Sequence, residues 1–139
     1  MVVTHTLAVR TQGKSDTVDI TGPIAEVVRD SRLAAGTVTV FVKHTTAGVC
    51  VIEAEDGLLD DYKGFWERIV PSSIDYAHNR LQEEDRNGHS HVRASTLGPS
   101  LAVPFVDGRM TLGTWQRVVL IDFDTRGRTR EIVVQVMGE

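Results

Sequence analysis

Four of the five histidines in this 139-residue chain fall within one third of it, close to a group of carboxylates. These histidines are His44, His78, His89 and His91, and the acids near them are Glu53, Glu55, Asp75 and Asp85. Imidazole nitrogens and carboxylate oxygens together suit a borderline divalent metal such as zinc, and three protein ligands with one water leave a position open for catalysis. The spacing alone is a weak signal, because a polar loop also contains such residues by chance. The alternative interpretation is a set of solvated loop histidines.

The position of His44 is more informative than that of the loop histidines. In the segment TVTVFVKH, from Thr37 to His44, valines alternate with other residues, and His44 has the parity of the valines. It therefore continues the buried face of a strand, where its ring nitrogens need partners or border a cavity. Two interpretations stay open: a histidine at the rim of a pocket, and a core histidine bonded to Thr45 or to a backbone carbonyl.

Two further side chains are suited to binding a phosphorylated or planar ligand. Arg93 lies inside a short predicted helix that Ser90 would cap and Leu97 would end, so its cation would stand beside free backbone amides, a favourable setting for phosphate. Trp115 interrupts a strand pattern after a glycine and could form an aromatic wall for a flat ring. The plainer alternatives are a surface arginine and a buried aromatic anchor.

The composition indicates one globular domain, residues 1–139, and argues against several kinds of partner. Hydrophobic residues at 41% and charged residues at 24% are ordinary values for a folded domain. The net charge of −4 argues against nucleic acid, and no apolar run is long enough to span a membrane. Because no signal peptide is recognisable and Cys50 is the single cysteine, we expect a cytoplasmic protein without an intrachain disulfide.

The hydrophobic periodicity predicts more strands than helices. Strands over 4–10 and 15–20 are expected to form a hairpin, followed by a first helix that Gly36 ends and a second helix over 57–70. The other strand-like segments are 37–44, 48–53, 101–106, 109–113, 117–123 and 130–137, and a long polar segment separates the fourth strand and the second helix from the last group. Because strands cluster instead of alternating with helices, we predict an α+β fold.

A series of short motifs in a fixed order resembles one known family. The motifs are HTTAG at 44–48, IEAEDGLLDD at 52–61, VP at 70–71, YAHN at 76–79, NGHSHVRAS at 87–95, LGPS at 97–100, VDGRMTLGTWQ at 106–116 and the terminal MGE. In order and spacing they resemble the YjbQ-like family, whose members are often labelled secondary thiamine-phosphate synthases. The resemblance implies an α+β fold with two packed, mainly antiparallel β-sheets and two main helices, assembled as a homotrimer.

The resemblance also assigns roles to particular residues. A divalent metal, zinc by preference or magnesium with a pyrophosphate substrate, is expected on His44, His78 and His91. The same histidines and Glu53 are the expected catalytic residues. The expected substrate-binding residues for a small phosphorylated metabolite are Arg93, Ser95, Thr114, Trp115 and Gln116. Glu53 and Glu55 would supply oxygens to the metal or its ligands, and His89 is expected to be replaceable.

The activity implied is the joining of a pyrimidine pyrophosphate to a thiazole phosphate with release of pyrophosphate. One departure from the family pattern concerns Ala54, which follows Glu53 where an asparagine is common. A histidine-rich site favours zinc, whereas magnesium on pyrophosphate prefers oxygen ligands. Two alternatives therefore stay open: a zinc-dependent hydrolase of a small phosphorylated or cyclic metabolite, and a non-catalytic trimeric ligand-binding protein.

Overall fold

A computed structural model describes residues 1–139, which form eight strands and four helices. In chain order these are β1 (Val2–Arg10), β2 (Asp16–Asp19), α1 (Thr21–Asp30), β3 (Ala35–Val42), β4 (Ala47–Ile52), α2 (Asp56–Ile69), α3 (Ala77–Leu81), α4 (Gly88–Leu97), β5 (Ser100–Val106), β6 (Arg109–Met110), β7 (Arg117–Asp122) and β8 (Thr129–Gly138). The strands make a five-stranded sheet in the order β1-β8-β3-β5-β6 and a three-stranded sheet in the order β2-β7-β4. All strand pairs are antiparallel, which confirms the predicted α+β class with two antiparallel sheets.

The main core lies between the two sheets and α1. Its 17 buried residues include alternate side chains of β3 and β8 from the large sheet and of β4 and β7 from the small one. A second core of five residues lies on the other face of β7, where α2 and α4 cover it. Val118 and Leu120 face the first core, whereas Val119 and Ile121 face the second. The small sheet is therefore buried on both faces, which explains the continuous apolar run of β7.

The predicted hairpin between the first two strands is wrong. β1 pairs along its length with β8, and β2 pairs with β7, so the two segments belong to different sheets. The chain changes sheet at the turn around Lys14 and Ser15, whose φ angles of 56° and 64° are both left-handed. Strand partners lie 100 or more positions away in the sequence, and local alternation carries no information about them.

The first helix is shorter than its pattern predicts. It ends at Asp30, and Arg32 takes a left-handed φ of 60°. Ala35 and Gly36 belong to β3 instead, because the amides of Ala34 and Ala35 donate to the Glu139 carbonyl at 2.7 and 3.2 Å. Hydrogen bonding of this segment to the C-terminal residue Glu139 therefore outweighs the helical spacing that placed Ala35 in the first helix.

The second helix and the central strand agree with their predictions. Val38, Val40 and Val42 are fully buried, and α2 runs within one residue of the expected bounds. Trp66 is the single buried residue of α2, whereas Phe65 and Ile69 on the predicted apolar stripe are 40% and 51% exposed. Four helices are present instead of two main ones, and none of them is long and apolar enough to cross a bilayer.

Candidate functional site

His44 follows the end of β3 and borders an open cleft of about 890 Å³. The lining of this cleft, which we call the histidine cleft, exposes mainly apolar surface, with five hydrophobic side chains among eleven residues that also include His91 and Ser95. The Nε2 atom of His44 accepts a hydrogen bond from the Glu131 amide at 2.9 Å, so the proton of the neutral ring is on Nδ1. Burial, with a contribution from Arg130, lowers the pKa of His44. At neutral pH this ring is an uncharged hydrogen-bond donor.

His91 and His78 form a pair of imidazoles beside the histidine cleft. Their ring centroids are 4.5 Å apart and their planes are inclined by 59°. His91 lies on α4 and lines the cleft, while His78 lies on α3. Burial lowers the pKa of His91, and the neighbouring His78 lowers it further. The arrangement therefore presents His91 as a neutral base or hydrogen-bonding group.

The orientation of His78 depends on Asn87. Its Nε2 atom lies 3.1 Å from the Asn87 Oδ1, and the Asn87 Nδ2 donates to the Asp124 carboxylate at 3.2 Å. Because the Asn87 amide group donates to Asp124, its oxygen is left to accept from His78. In this arrangement the proton of neutral His78 is on Nε2, and Nδ1 carries the free lone pair.

Asp124 belongs to a buried ionic network that links both sheets. Asp122 accepts two hydrogen bonds from Arg130, each of 2.7 Å, and its Oδ1 accepts from the Asp124 amide at 3.0 Å. Thr46 donates to Asp124 at 3.0 Å and accepts from Arg130 at 2.7 Å. Burial raises the pKa of Asp124, but hydrogen bonds from Thr125, Asn87 and Thr46 outweigh it and lower the pKa overall.

Sequence reasoning missed the two acids of this network, Asp122 and Asp124. Asp122 and Asp124 end an apolar strand at a spacing of two, and Arg130 opens the next strand. Two acids at the end of a buried strand are a usable signal, because buried carboxylates need a cationic partner.

The three predicted metal ligands are neighbours but do not form a ligand set within one chain. No group of three histidine, cysteine or acidic side chains is arranged to hold a metal ion. His44 has no lone pair to offer while its Nε2 accepts from Glu131 and its Nδ1 carries the proton. The residues of a single chain thus do not fit a three-histidine site, and the metal stays a prediction.

The other predicted site residues are distributed over three places. Ser95 lines the histidine cleft, and its hydroxyl donates to the Val92 carbonyl at 3.0 Å. Arg93 is 4% exposed and lines a different, wholly polar cavity. Glu53, Thr114 and Trp115 border a third cavity of about 620 Å³, away from the histidines.

Two side chains near that third cavity have local structural roles. The Gln116 Oε1 accepts from the Gly113 amide at 2.8 Å, within its own turn. Glu55 caps α2 by accepting from the amides of Gly57 and Leu58, both at 2.8 Å, so it does not serve the histidines as expected. The acidic end of the motif starts a helix, whereas its histidine faces the cleft.

Comparison of the sequence with known proteins identifies one family. The family model described as UPF0047 protein YjbQ-like matches residues 5–139. A UPF0047 protein of Archaeoglobus fulgidus is 38% identical over 131 residues, which cover 94% of this chain and 98% of the relative. One from Methanothermobacter thermautotrophicus is 37% identical and covers 99% of this chain and 94% of the relative.

Solved structures share the fold over the whole chain. A crystal structure of a YbjQ-like protein of unknown function from Sulfolobus solfataricus P2 superposes with a TM-score of 0.93 and is 31% identical in sequence. The match covers 100% of this chain and 99% of the Sulfolobus chain. A hypothetical protein from Aeropyrum pernix K1 has a TM-score of 0.91 and 33% identity, with 99% of both chains covered.

Proposed function

This chain belongs to the UPF0047 family of YjbQ-like proteins, and from that premise we propose that it is a transferase that joins two small heteroaromatic phosphates in the histidine cleft. The observation that carries the proposal is that two imidazoles with lowered pKa values, those of His44 and His91, border one largely apolar cleft. Apolar walls suit flat rings, and the imidazoles supply hydrogen bonds to the polar atoms of those rings. The label secondary thiamine-phosphate synthase, which members of the YjbQ-like family often carry, suggests the pair of substrates.

The reaction forms a carbon–nitrogen bond between a pyrimidine pyrophosphate and a thiazole phosphate. The carbon–oxygen bond to pyrophosphate breaks, and pyrophosphate leaves with the electron pair. Such a step needs aligned partners and donors placed where negative charge develops. In the histidine cleft the Nδ1–H of His44 is such a donor, and Lys43 adds a cation at the rim, 2.9 Å from Glu131. Asn87 is a positioning residue, because it orients His78 beside His91.

The experiment is a thiamine-phosphate assay on purified protein and on His44→Gln and His91→Gln variants. General acid–base or hydrogen-bonding groups of this kind contribute roughly 10²-fold or more, so we expect a loss of that size in both variants. His5→Gln is the matched control, since His5 is exposed on β1 and borders no part of the cleft. Absence of turnover in the unaltered protein, or full turnover in both cleft variants, would contradict the proposal.

A divalent metal in the same region is a separate proposal, as part of the alternative zinc-dependent hydrolase. The close His78–His91 pair supports it, while the third ligand would have to come from outside this set or after His44 releases Glu131. The test is elemental analysis of the purified protein. Zinc at about one per chain, lost in His78→Asn and His91→Asn, supports the metal. Protein that never carries a divalent metal, even after incubation with zinc, excludes it.

A further inference from the structure

A second cavity on α4 has the features of a binding site for an oxyanion. It has a volume of about 340 Å³, and no hydrophobic side chain lines it. We propose that this cavity, which we call the polar cavity, binds a phosphate group that carries one proton, either inorganic phosphate or a phosphomonoester. The proposal does not rest on the transferase function. Among the residues that line this cavity, the family resemblance assigns a binding role to Arg93 alone.

The polar cavity and the histidine cleft use different faces of the same helix. His89 and Arg93 are four residues apart on α4 and both line the polar cavity. His91 and Ser95, offset by two positions, line the histidine cleft. Residues four apart share a helix face, whereas an offset of two turns the side chain away. Arg93, expected to bind phosphate beside the histidines, therefore serves the other site.

His89 is the observation that points to a ligand. Its side chain is buried, with 8% exposure, and its Nδ1 atom has no hydrogen-bond partner although the ring lines the polar cavity. Its Nε2 lies 3.3 Å from the Ser90 hydroxyl, whose own hydrogen is donated to the Phe123 carbonyl. Nε2 must then be the donor to Ser90, which leaves Nδ1 as a buried acceptor. Native proteins rarely leave such an atom without a partner.

The charges around the polar cavity favour an anion. Lys14 and Lys63 line it, and neither forms an ion pair with a carboxylate. Two carboxylates also line it, but both are already bound. Glu67 pairs with Arg93 at 2.7 Å, and Asp124 pairs with Arg128 at 2.9 Å. The two lysines are therefore the cations of the cavity without an ion pair, although Lys63 also borders a neighbouring hollow with Asp16, Asp56 and Asp60. An anion beside both lysines would gain Coulomb energy.

Donors for phosphate oxygens are also present at the wall of the polar cavity. The Ser15 hydroxyl accepts from Arg93 at 3.2 Å, so its hydrogen is free to donate. Lys14 and Ser15 themselves adopt left-handed backbone conformations at this wall, with φ angles of 56° and 64°. Backbone of this kind is unfavourable outside glycine and persists where the surrounding structure imposes it.

A proton on the ligand is what distinguishes phosphate from other oxyanions here. Neutral His89 accepts at Nδ1, so it can take a hydrogen bond from the P–OH of a protonated phosphate. Sulfate has no such hydrogen near neutral pH and would leave Nδ1 unpaired. The groups that face His89 are Arg93, Glu67, Asp124 and the ring of Tyr76, whose centroid is 6.4 Å away. Burial and Arg93 lower the pKa of His89.

The test is calorimetric titration of the whole protein with inorganic phosphate, glycerol 3-phosphate and sulfate at pH 6 and pH 8. We expect saturable phosphate binding at both pH values, because inorganic phosphate keeps a P–OH group at each, and glycerol 3-phosphate binding that is tighter at pH 6, where its monoanion carries a P–OH group. Sulfate should bind more weakly by roughly tenfold, the effect of one hydrogen bond to a charged group. If glycerol 3-phosphate binds more tightly than inorganic phosphate at pH 6, the ligand of the cavity is a phosphomonoester metabolite. If inorganic phosphate binds more tightly, the ligand is the free ion. Failure of phosphate to bind, or equal affinity for sulfate at both pH values, overturns the proposal.

Variants separate this site from the histidine cleft. Lys63→Gln, at an exposed position that does not threaten folding, should weaken phosphate binding roughly tenfold. His89→Phe should abolish the preference for phosphate over sulfate. Arg68→Gln is the matched control, because Arg68 is an exposed cation on the same helix as Lys63 and lines neither the polar cavity nor the histidine cleft. His91→Gln should also leave phosphate binding unchanged, so that loss of the transferase activity and loss of this site are distinguishable. Unchanged binding in Lys63→Gln and His89→Phe together contradicts the assignment.

Discussion

At the scale of single residues, the histidine cleft depends on polar side chains that are completely buried. Arg130 and Asp122 are 1% and 0% exposed, and the Arg130 guanidinium donates two hydrogen bonds to the Asp122 carboxylate. Through Asp124 and Asn87 the same network reaches His78. A buried pair of this kind adds little net stability over an apolar pair, but removing one partner leaves a charge without compensation. Its role is therefore to define where the groups beside the cleft lie.

Loss of Arg130 should be strongly destabilising. An Arg130→Met variant leaves Asp122 buried without its cation, so we expect the free energy of unfolding to fall by about 3–5 kcal/mol. Urea unfolding followed by circular dichroism measures it. Arg109→Met is the control at an exposed arginine without an ion pair, where a change within about 0.5 kcal/mol is expected. Equal stability of the two variants would show that the network is not a structural requirement.

Buried histidines should make stability depend on pH in a defined window. Burial lowers the pKa of His44, His89 and His91 in the folded protein, so the unfolded chain binds protons more readily than the native state. Their contribution is complete above the unfolded value of about 6.5 and is lost as pH falls towards the folded values. The free energy of unfolding should therefore decrease between pH 7 and pH 5.

His89→Gln tests that assignment, because it should reduce the pH dependence in this window. His5→Gln should keep the full dependence, since His5 is exposed on β1. The carboxylate of Glu67 acts in a different pH range. Hydrogen bonds from Ser72 and the contact with Arg93 lower the pKa of Glu67 to about 2, so its contribution is lost only below about pH 4.5. A flat profile between pH 7 and pH 5 in the unaltered protein would contradict the prediction.

At the scale of elements, α4 is the structural centre of both candidate sites. Its buried residues pack on the small sheet, mainly at β4, one face carries the polar cavity, and another face borders the histidine cleft. The helix α2 is attached to the same layer mainly through Trp66, whose ring lies edge-on to Phe123 with centroids 5.1 Å apart. Few buried residues thus hold a long amphipathic helix in place.

Truncation of Trp66 should release α2 from the sheet. We expect Trp66→Ala to lower the free energy of unfolding by about 3–5 kcal/mol, because it leaves a cavity beside Phe123 in the second core. The neighbouring Phe65 is 40% exposed, so Phe65→Ala should cost less than about half of that. Denaturant unfolding of both variants makes the comparison. Equal losses would mean that the exposed face of α2 is covered in solution.

At the scale of the whole molecule, assembly is the main open prediction. The resemblance implies a homotrimer, and large apolar side chains stand exposed beside the histidine cleft, with Phe41 at 44% and Val92 at 43%. Subunit contacts would bury such residues. Multi-angle light scattering should give a mass about three times 15.3 kDa, and Phe41→Lys should lower it. A monomer at micromolar concentration in the unaltered protein would contradict this assembly.

Some features of this protein follow from the sequence alone. The alternating valines of β3, the apolar run of β7 and the Asp107-Gly108 turn each predict a local element, and the structure confirms all three. Strand parity also indicates that His44 continues the buried face of β3, because successive strand residues face opposite sides. In each case the determining interaction lies within a few residues. Only the tertiary structure decides between a pocket rim and the core, and it places His44 beside the histidine cleft.

Tertiary structure decided what local patterns cannot encode. The separation of β1 and β2 into two sheets, the early end of α1 and the placement of Arg93 in the polar cavity all depend on partners far away in the chain. The Arg130 and Asp122 pair likewise forms only after β7 and β8 belong to facing sheets. Strand pairing and the pairing of buried charges join residues that are far apart in the sequence. Such an interaction stabilises the fold only after the chain has brought both partners together.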